Sequence, residues 1–254
     1  MNTNKHYLKR TLWISSIMLT GLIAGCNSGS DSSTENSGST VISTNPADGD
    51  KAAPLNHKVI ATFSEAMDAT TIDTQSFSVK DAGGAALSGV INVDAASHSA
   101  SFTPAGSGFA AGTDYTATLT TAIKSTAGSI ALANNYVWHF TSGTAADIAV
   151  PSVTSTNPVA GATGVVLNRA VTANISEALD PATVNAATFT ISPAVSGVVS
   201  YSDKEATFTP SSNLAIDTTY TVTLTAGIKD LADNALTAKS WSFMTGSTIA
   251  QGPA

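Results

Sequence analysis

One cysteine, four histidines and 11 basic side chains are all that 254 residues hold of the groups behind most thiol, metal and nucleic-acid chemistry. A lone cysteine, Cys26, excludes an intrachain disulfide. Domains of about 100 residues must then fold on buried apolar area alone, which that length permits. Without clustered Lys or Arg there is nothing to neutralise a phosphate backbone, so no nucleic-acid partner is expected. His57, His98 and His139 are not spaced with one another or with Cys26 as zinc ligands would be. No Gly-x-Gly-x-x-Gly or other phosphate loop follows a strand, so no cofactor is expected. Serine is so common that no Ser/His/Asp grouping carries information. Charged residues make up 11% of the chain, while Ala, Thr, Ser, Val and Gly abound, a composition that favours strands and turns over surface helices.

What is present begins at the N-terminus. Lys5, Lys9 and Arg10 form a positive segment with no acidic neighbour, and the apolar run Thr11 to Ala24 follows. That run has the length of a secretion signal and is too short to span a bilayer. Ile23, Ala24 and Gly25 lead directly into Cys26. The four residues resemble the lipobox of bacterial lipoproteins. The resemblance implies cleavage before Cys26, a diacylglycerol on its thiol and an acyl chain, such as palmitate, on the new N-terminus. Several chains at about 0.8 kcal/mol per buried CH₂ hold a protein on a membrane essentially permanently. Asn27 is not the aspartate that retains many lipoproteins at the inner membrane, so the outer membrane is expected, with its periplasmic or outer side left open. Removing residues 1–25 leaves eight basic against 18 acidic side chains, a net charge near −10. Asn27 to Thr40 has no hydrophobic residue and reads as a flexible tether with an r.m.s. span of roughly 20 Å.

The remainder is an internal repeat. Val41-Ile-Ser-Thr-Asn-Pro46 returns as Val153-Thr-Ser-Thr-Asn-Pro158, an offset of 112. Leu55-Asn56 returns as Leu167-Asn168, and Ser64-Glu-Ala-Met-Asp68 as Ser176-Glu-Ala-Leu-Asp180. Later landmarks recur at shrinking offsets: Phe102-Thr-Pro104 with Phe208-Thr-Pro210, Tyr115 with Tyr220, Ile123-Lys124 with Ile228-Lys229, and Trp138-x-Phe140 with Trp241-x-Phe243. Two copies of one domain type are therefore expected, at 41–143 and 153–246, with a linker at 144–152 and a tail at 247–254. Val59, Ala61 and Phe63, like Tyr220, Val222 and Leu224, alternate with polar or small residues, the mark of a strand with one buried face. Seven strands are expected in the first copy, near 41–44, 58–63, 76–80, 89–94, 99–103, 114–120 and 136–141. The fold class is all-β, two tandem sandwiches. The only helical signals are Asp68 to Ile72 and Asp180 to Val184. Tyr115 and Tyr220 stand where a tyrosine corner would tie a strand back to an upstream loop, and Trp138 and Trp241 belong to the core of the last strand.

The motif order Asn-Pro-x-x-Gly, Leu-Asn, Phe-Ser-Glu-x-Met-Asp, Phe-Thr-Pro, Tyr, Ile-Lys-Asp-x-x-x-Asn and Trp-x-Phe resembles the bacterial Ig-like domain of the SbsA (S-layer) type. The resemblance covers residues 41–143 and 153–246 and implies spacer or interaction modules of surface proteins. Two departures stand out. Ile175 replaces the aromatic at Phe63, and Ser125-Thr-Ala-Gly-Ser129 stands where the second copy has Asp230-Leu-Ala-Asp-Asn234.

Asp230, Asp233 and Asn234 are the one tight oxygen-rich cluster. A calcium ion wants six to eight oxygens and these supply part of them. The other reading is that they cap their own turn, and the first copy favours it by keeping the turn while losing the carboxylates. Glu65/Asp68 and Glu177/Asp180 are paired carboxylates of the kind used in acid–base catalysis, yet they recur where a helical turn begins and acidic groups are at home. No enzyme is expected. A non-catalytic cell-envelope lipoprotein follows, membrane-held through Cys26, with an unidentified protein or glycan partner. An alternative comes from the tail. Its Ala-Gln-Gly-Pro-Ala stretch is similar to one that leads into ice-binding β-helical domains, which implies the front part of a truncated or split ice-binding-type adhesin. No flat, Thr-rich face is evident for ice binding by these residues. A site between the domains is disfavoured, since the short, partly apolar linker implies that they touch end to end with little room.

Overall fold

Alternating apolar residues require a surface to bury them, and each copy supplies it by folding into two sheets. A computed structural model describes residues 38–249. Cys26, with Ile23, Ala24 and Gly25, the signal and tether up to residue 37, and residues 250–254 of the tail lie outside the described residues. The first copy has strands β1 (Val41–Asn45), β2 (Val59–Phe63), β3 (Phe77–Asp81), β4 (Gly89–Asp94), β5 (Ser99–Pro104), β6 (Asp114–Leu119) and β7 (Tyr136–Thr141). The second has β8 (Val153–Asn157), β9 (Val171–Ile175), β10 (Phe189–Ser192), β11 (Gly197–Ser202), β12 (Glu205–Pro210), β13 (Thr219–Leu224) and β14 (Lys239–Met244). Every strand expected in the first copy is present, with bounds within one residue. The two helical signals are 3-10 turns at Ala69–Thr71 and Pro181–Thr183, capped by Asp68 and Asp180. Among the described residues no helix is long and apolar enough to cross a membrane.

Both copies have the same topology. A four-stranded sheet ordered β1-β2-β5-β4 faces a three-stranded sheet ordered β3-β6-β7, and β8-β9-β12-β11 faces β10-β13-β14. All named pairs are antiparallel. Inward positions of facing sheets make one core per copy: Val59, Phe63, Phe77, Phe102, Leu119 and Trp138 in the first, and Val171, Ile175, Phe189, Phe208, Leu224 and Trp241 in the second. Ile175 occupies the place of Phe63 and is itself buried. The tyrosine corners are formed. Tyr115 accepts from the Ala110 amide at 2.8 Å and Tyr220 from the Ala215 amide at 3.0 Å, each five residues upstream.

Gly89 and Gly197 open β4 and β11 because Phe102 and Phe208 of the neighbouring strands lie across them. A Cβ at either position would overlap the ring. Outward positions of the second copy's three-stranded sheet bring hydroxyls into two rows, Thr190, Thr223 and Ser240, then Ser192, Thr221 and Ser242. The rows come from residues far apart in the chain, so only the register reveals them. Thr221 bonds Ser242 at 2.8 Å and Thr223 bonds Ser240 at 3.1 Å, so these hydroxyls are used on one another.

The equivalent tryptophans differ in one respect. Trp241 Nε1 donates to the Pro158 carbonyl at 3.0 Å, whereas the fully buried Trp138 Nε1 is, among the described residues, a side-chain donor without a partner. An unmet buried donor already carries its desolvation cost, and removing a met one leaves an acceptor orphaned. Trp241→Phe should therefore lower stability by about 1 kcal/mol more than Trp138→Phe, measured as the difference between two chemical denaturation curves. By overpacking against the ring, Gly197→Ala should cost about 1–3 kcal/mol in the same assay.

Candidate functional site at the junction of the two copies

The turn Asp230-Leu-Ala-Asp-Asn234, whose acidic side chains the first copy does not share, is where the copies meet. Asp230 is 1% exposed. Its Oδ1 accepts from the amides of Ala232 and Asn234 at 2.8 Å, and its Oδ2 from the Asn234 side-chain amide at 2.8 Å. An aspartate folding its own turn in this way is the structural role open to it from sequence. Asp233 takes positive φ, 68°, and sends its carboxylate out of the turn to Lys58 of the first copy at 2.8 Å. The Lys58 ammonium also meets Asp180 at 2.8 Å, while its backbone N–H donates to the Leu231 carbonyl at 3.0 Å. Burial works against the lysine's charge. Hydrogen bonds and attraction from Asp180 and Asp233 outweigh it and raise the pKa above the ordinary lysine value.

The linker is fixed to both copies. Asn56 and Asp147 exchange two hydrogen bonds, side-chain amide to carbonyl at 2.9 Å and Asp147 amide to side-chain oxygen at 2.7 Å. His57 Nε2 lies 3.0 Å from the Asp147 carboxylate, and the Asn234 amide reaches the Asp147 carbonyl at 3.4 Å. Desolvation pushes the Asp147 pKa up, but the hydrogen bonds from His57 and from the Ala149 amide prevail and hold it below the usual carboxylate range.

The oxygen-rich trio expected from sequence is not brought together as a metal site, because Asp233 is drawn to Lys58 and Asn234 turns its amide nitrogen toward Asp230 and Asp147. A different set converges. One carboxylate oxygen from each of Asp147, Glu177 and Asp230 lies within 4.8 Å of the others. Among the described residues this is the group able to hold a cation. Three carboxylates fall short of the six to eight oxygens calcium takes, and two of them are already committed to His57, Ala149, Ala232 and Asn234. Sequence reading missed Asp147 and Lys58. The available signal was that one copy alone carries charges in this turn, so their use had to lie outside the common fold.

The paired carboxylates are divided between separate structural tasks. Asp68 accepts from the Thr70 amide at 2.9 Å and from its hydroxyl at 2.7 Å, which holds its pKa low. Glu65 accepts from the Ser39 hydroxyl at 2.7 Å. Asp180 caps its turn and meets Lys58. Glu177 is different. Burial first, then the charges of Asp147 and Asp230, raise its pKa, with Lys204 opposing. The expectation of little room between the copies is corrected. A groove of about 650 Å³ separates them, lined by Ile42, Ile60 and Phe63 on one side and Leu179, Tyr201 and Leu231 on the other. It opens beside the point where the second copy is bonded to the first, the Lys58 amide just before β2 donating to the Leu231 carbonyl. Glu177 does not line it.

Two antiparallel sandwiches, alike in strand order and joined by a polar junction, define an Ig-like tandem. The bacterial Ig-like domain family matches residues 35–142 and 147–245, and the chain belongs to it. Among solved structures it is similar to the N-terminal part of the bacterial S-layer protein SbsC. Identity is 15% over 81% of this chain and 44% of that one, with a TM-score of 0.34. Domains 1–6 of SbsC align at 16% identity over 82% of this chain and 26% of theirs, TM-score 0.36. E. coli alpha-2-macroglobulin aligns at 12% identity over 85% and 14%, TM-score 0.34. The chain thus spans less than half of each of these proteins. No curated protein matches it.

Because the Glu177 pKa is raised, its ionised form disfavours the folded state. That penalty is complete above the folded-state pKa and disappears once pH falls below the unfolded value. Glu177→Gln should accordingly stabilise the protein at pH 7 by about 0.5 kcal/mol, the scale of a partly exposed charge pair. The gain should vanish near pH 3, as followed by thermal unfolding across pH.

Proposed function

We propose that this protein is a non-catalytic cell-envelope lipoprotein. In this reading Cys26 carries the lipid, and the residues that follow it act as a tether ending before Ser39, which is buried and bonded to Glu65 rather than free as the expected tether to Thr40 would have it. The two Ig-like copies form a spacer or interaction unit beside the membrane. The observation that carries the reading is the sequence Ile23-Ala24-Gly25-Cys26 at the end of a short apolar run, set before two Ig-like sandwiches. A non-catalytic role is supported by the recurring carboxylates: Asp68 and Asp180 cap their turns, Glu65 accepts from Ser39, and none of these or Glu177 lines the groove between the copies. Contact with a protein or glycan partner would fall on the loops and sheet edges, where Val90 and Val198 are exposed at equivalent places on edge strands. The outer membrane is the proposed location, from the residue at position 27.

Anchoring is tested by fractionation. The unaltered chain should sediment with membranes and at outer-membrane density. Cys26→Ala should move to the soluble fraction, because without the thiol no lipid is attached and the acidic body has no basic patch to hold it at a lipid surface. A variant that still sediments with membranes would remove the anchor from the proposal.

A further inference from the structure

We infer that the turn Asp230–Asn234 of the second copy is a latch that joins the two sandwiches into one rigid body, with Lys58 of the first copy as its receptor. Three independent features of the junction carry this. The first is polar. Lys58 is held through its amide by the Leu231 carbonyl and through its ammonium by Asp180 and Asp233. The side chains of Lys58 and Asp180 are only 13% and 8% exposed, so salt and water screen the pair far less than an ordinary surface pair.

The second is apolar. Ile60 alternates with Val59 and Ala61, so it faces away from the core of its own copy, yet it is 3% exposed. Leu231, at 1% exposed, also belongs to neither core. Both line the boundary between the copies, where each is sheltered from water. The third is the linker, tied to the first copy by Asn56 and His57 and to the second by Asn234 and by the bond from the Thr237 amide to the Pro151 carbonyl at 2.9 Å. A linker bonded along its length cannot act as a swivel.

Comparison of the copies separates latch from fold. At the repeat positions matching Lys58 and Ile60 the second copy has Ala170 and Thr172, and at those matching Leu231 and Asp233 the first has Thr126 and Gly128. Apart from Asp180, whose counterpart Asp68 caps the same turn in the first copy, each copy thus carries only its own half of the contact, while the strands that build both sandwiches are shared. The residues are present for the joint and not for the sandwich.

The test is an interdomain distance measured by electron spin resonance. It uses the full chain with Cys26→Ala and spin-labelled cysteines introduced at Val90 and Val198, which are 70% and 65% exposed. A single narrow distance distribution is expected, unchanged by EDTA or millimolar Ca²⁺. Lys58→Met keeps the aliphatic stem and removes the charge. Asp233→Asn keeps a residue that tolerates positive φ. Each should broaden the distribution at least twofold while leaving the circular dichroism of the folded copies intact. A distribution already broad in the parent chain, or equally narrow in both variants, would overturn the inference. So would narrowing that appears only with Ca²⁺, which would assign the rigidity to a metal held by Asp147, Glu177 and Asp230.

Discussion

In each copy the two sheets are held face to face by aromatic rings that reach across the gap between them. Phe77 projects from the three-stranded sheet toward Phe102 of the other, ring centres 6.1 Å apart, and lies 6.2 Å from Trp138 beside it. Phe189 and Phe208 repeat the contact at 6.1 Å. Rings this large remove more apolar area from water than any other side chain present, and their size dictates what surrounds them. Phe102 leaves no volume for a side chain at Gly89, and Ala61 and Ala100 pair beside it, both fully buried. The alternation along each strand, the small residues between large ones and the glycines at the edges are consequences of that single packing requirement.

With the cores satisfied in the same way twice, the loops are free to differ, and they do so at the junction. One turn carries hydroxyls and glycine in the first copy and carboxylates with a leucine in the second. The same backbone scaffold therefore serves two ends: in one case a turn that closes on its own serine, Ser125 to the Ala127 carbonyl at 2.7 Å, in the other a turn that reaches a neighbouring domain. The cluster of Asp147, Glu177 and Asp230 is a by-product of bringing a charged turn against a charged linker. Its mutual repulsion is the part of the junction that works against it.

The sandwich was legible because its signals are local and doubled. Strand alternation, Thr-Pro followed by Tyr, and Asp before a helical turn each operate within about ten residues, and the repeat supplied each of them a second time. Even the exchange of Phe63 for Ile175 was readable as a core change. The junction was not legible, since Lys58 meets Asp180 across 122 positions and Asp233 across 175. Nothing in the local pattern of Asn56-His57-Lys58 marks those residues as interdomain. Sequence offers Asp230, Asp233 and Asn234 one shared role, as turn caps or as cation ligands, whereas in the structure Asp230 folds the turn and the partner of Asp233 lies in the other copy. The hydroxyl rows of β10, β13 and β14 were hidden for the same reason: register, and not spacing, assembles them.

The placement of Lys58 in one copy and of the Asp230–Asn234 turn in the other gives the tandem a direction. Exchanging the order of the two sandwiches would leave every strand and both cores as they are, yet it would set Ser125–Ser129 against Ala170, a turn without acids facing an alanine where the present order has Lys58. Duplicate modules of this kind are interchangeable as folds and not as neighbours. After duplication, the chain has come to encode not only two sandwiches but which of them comes first.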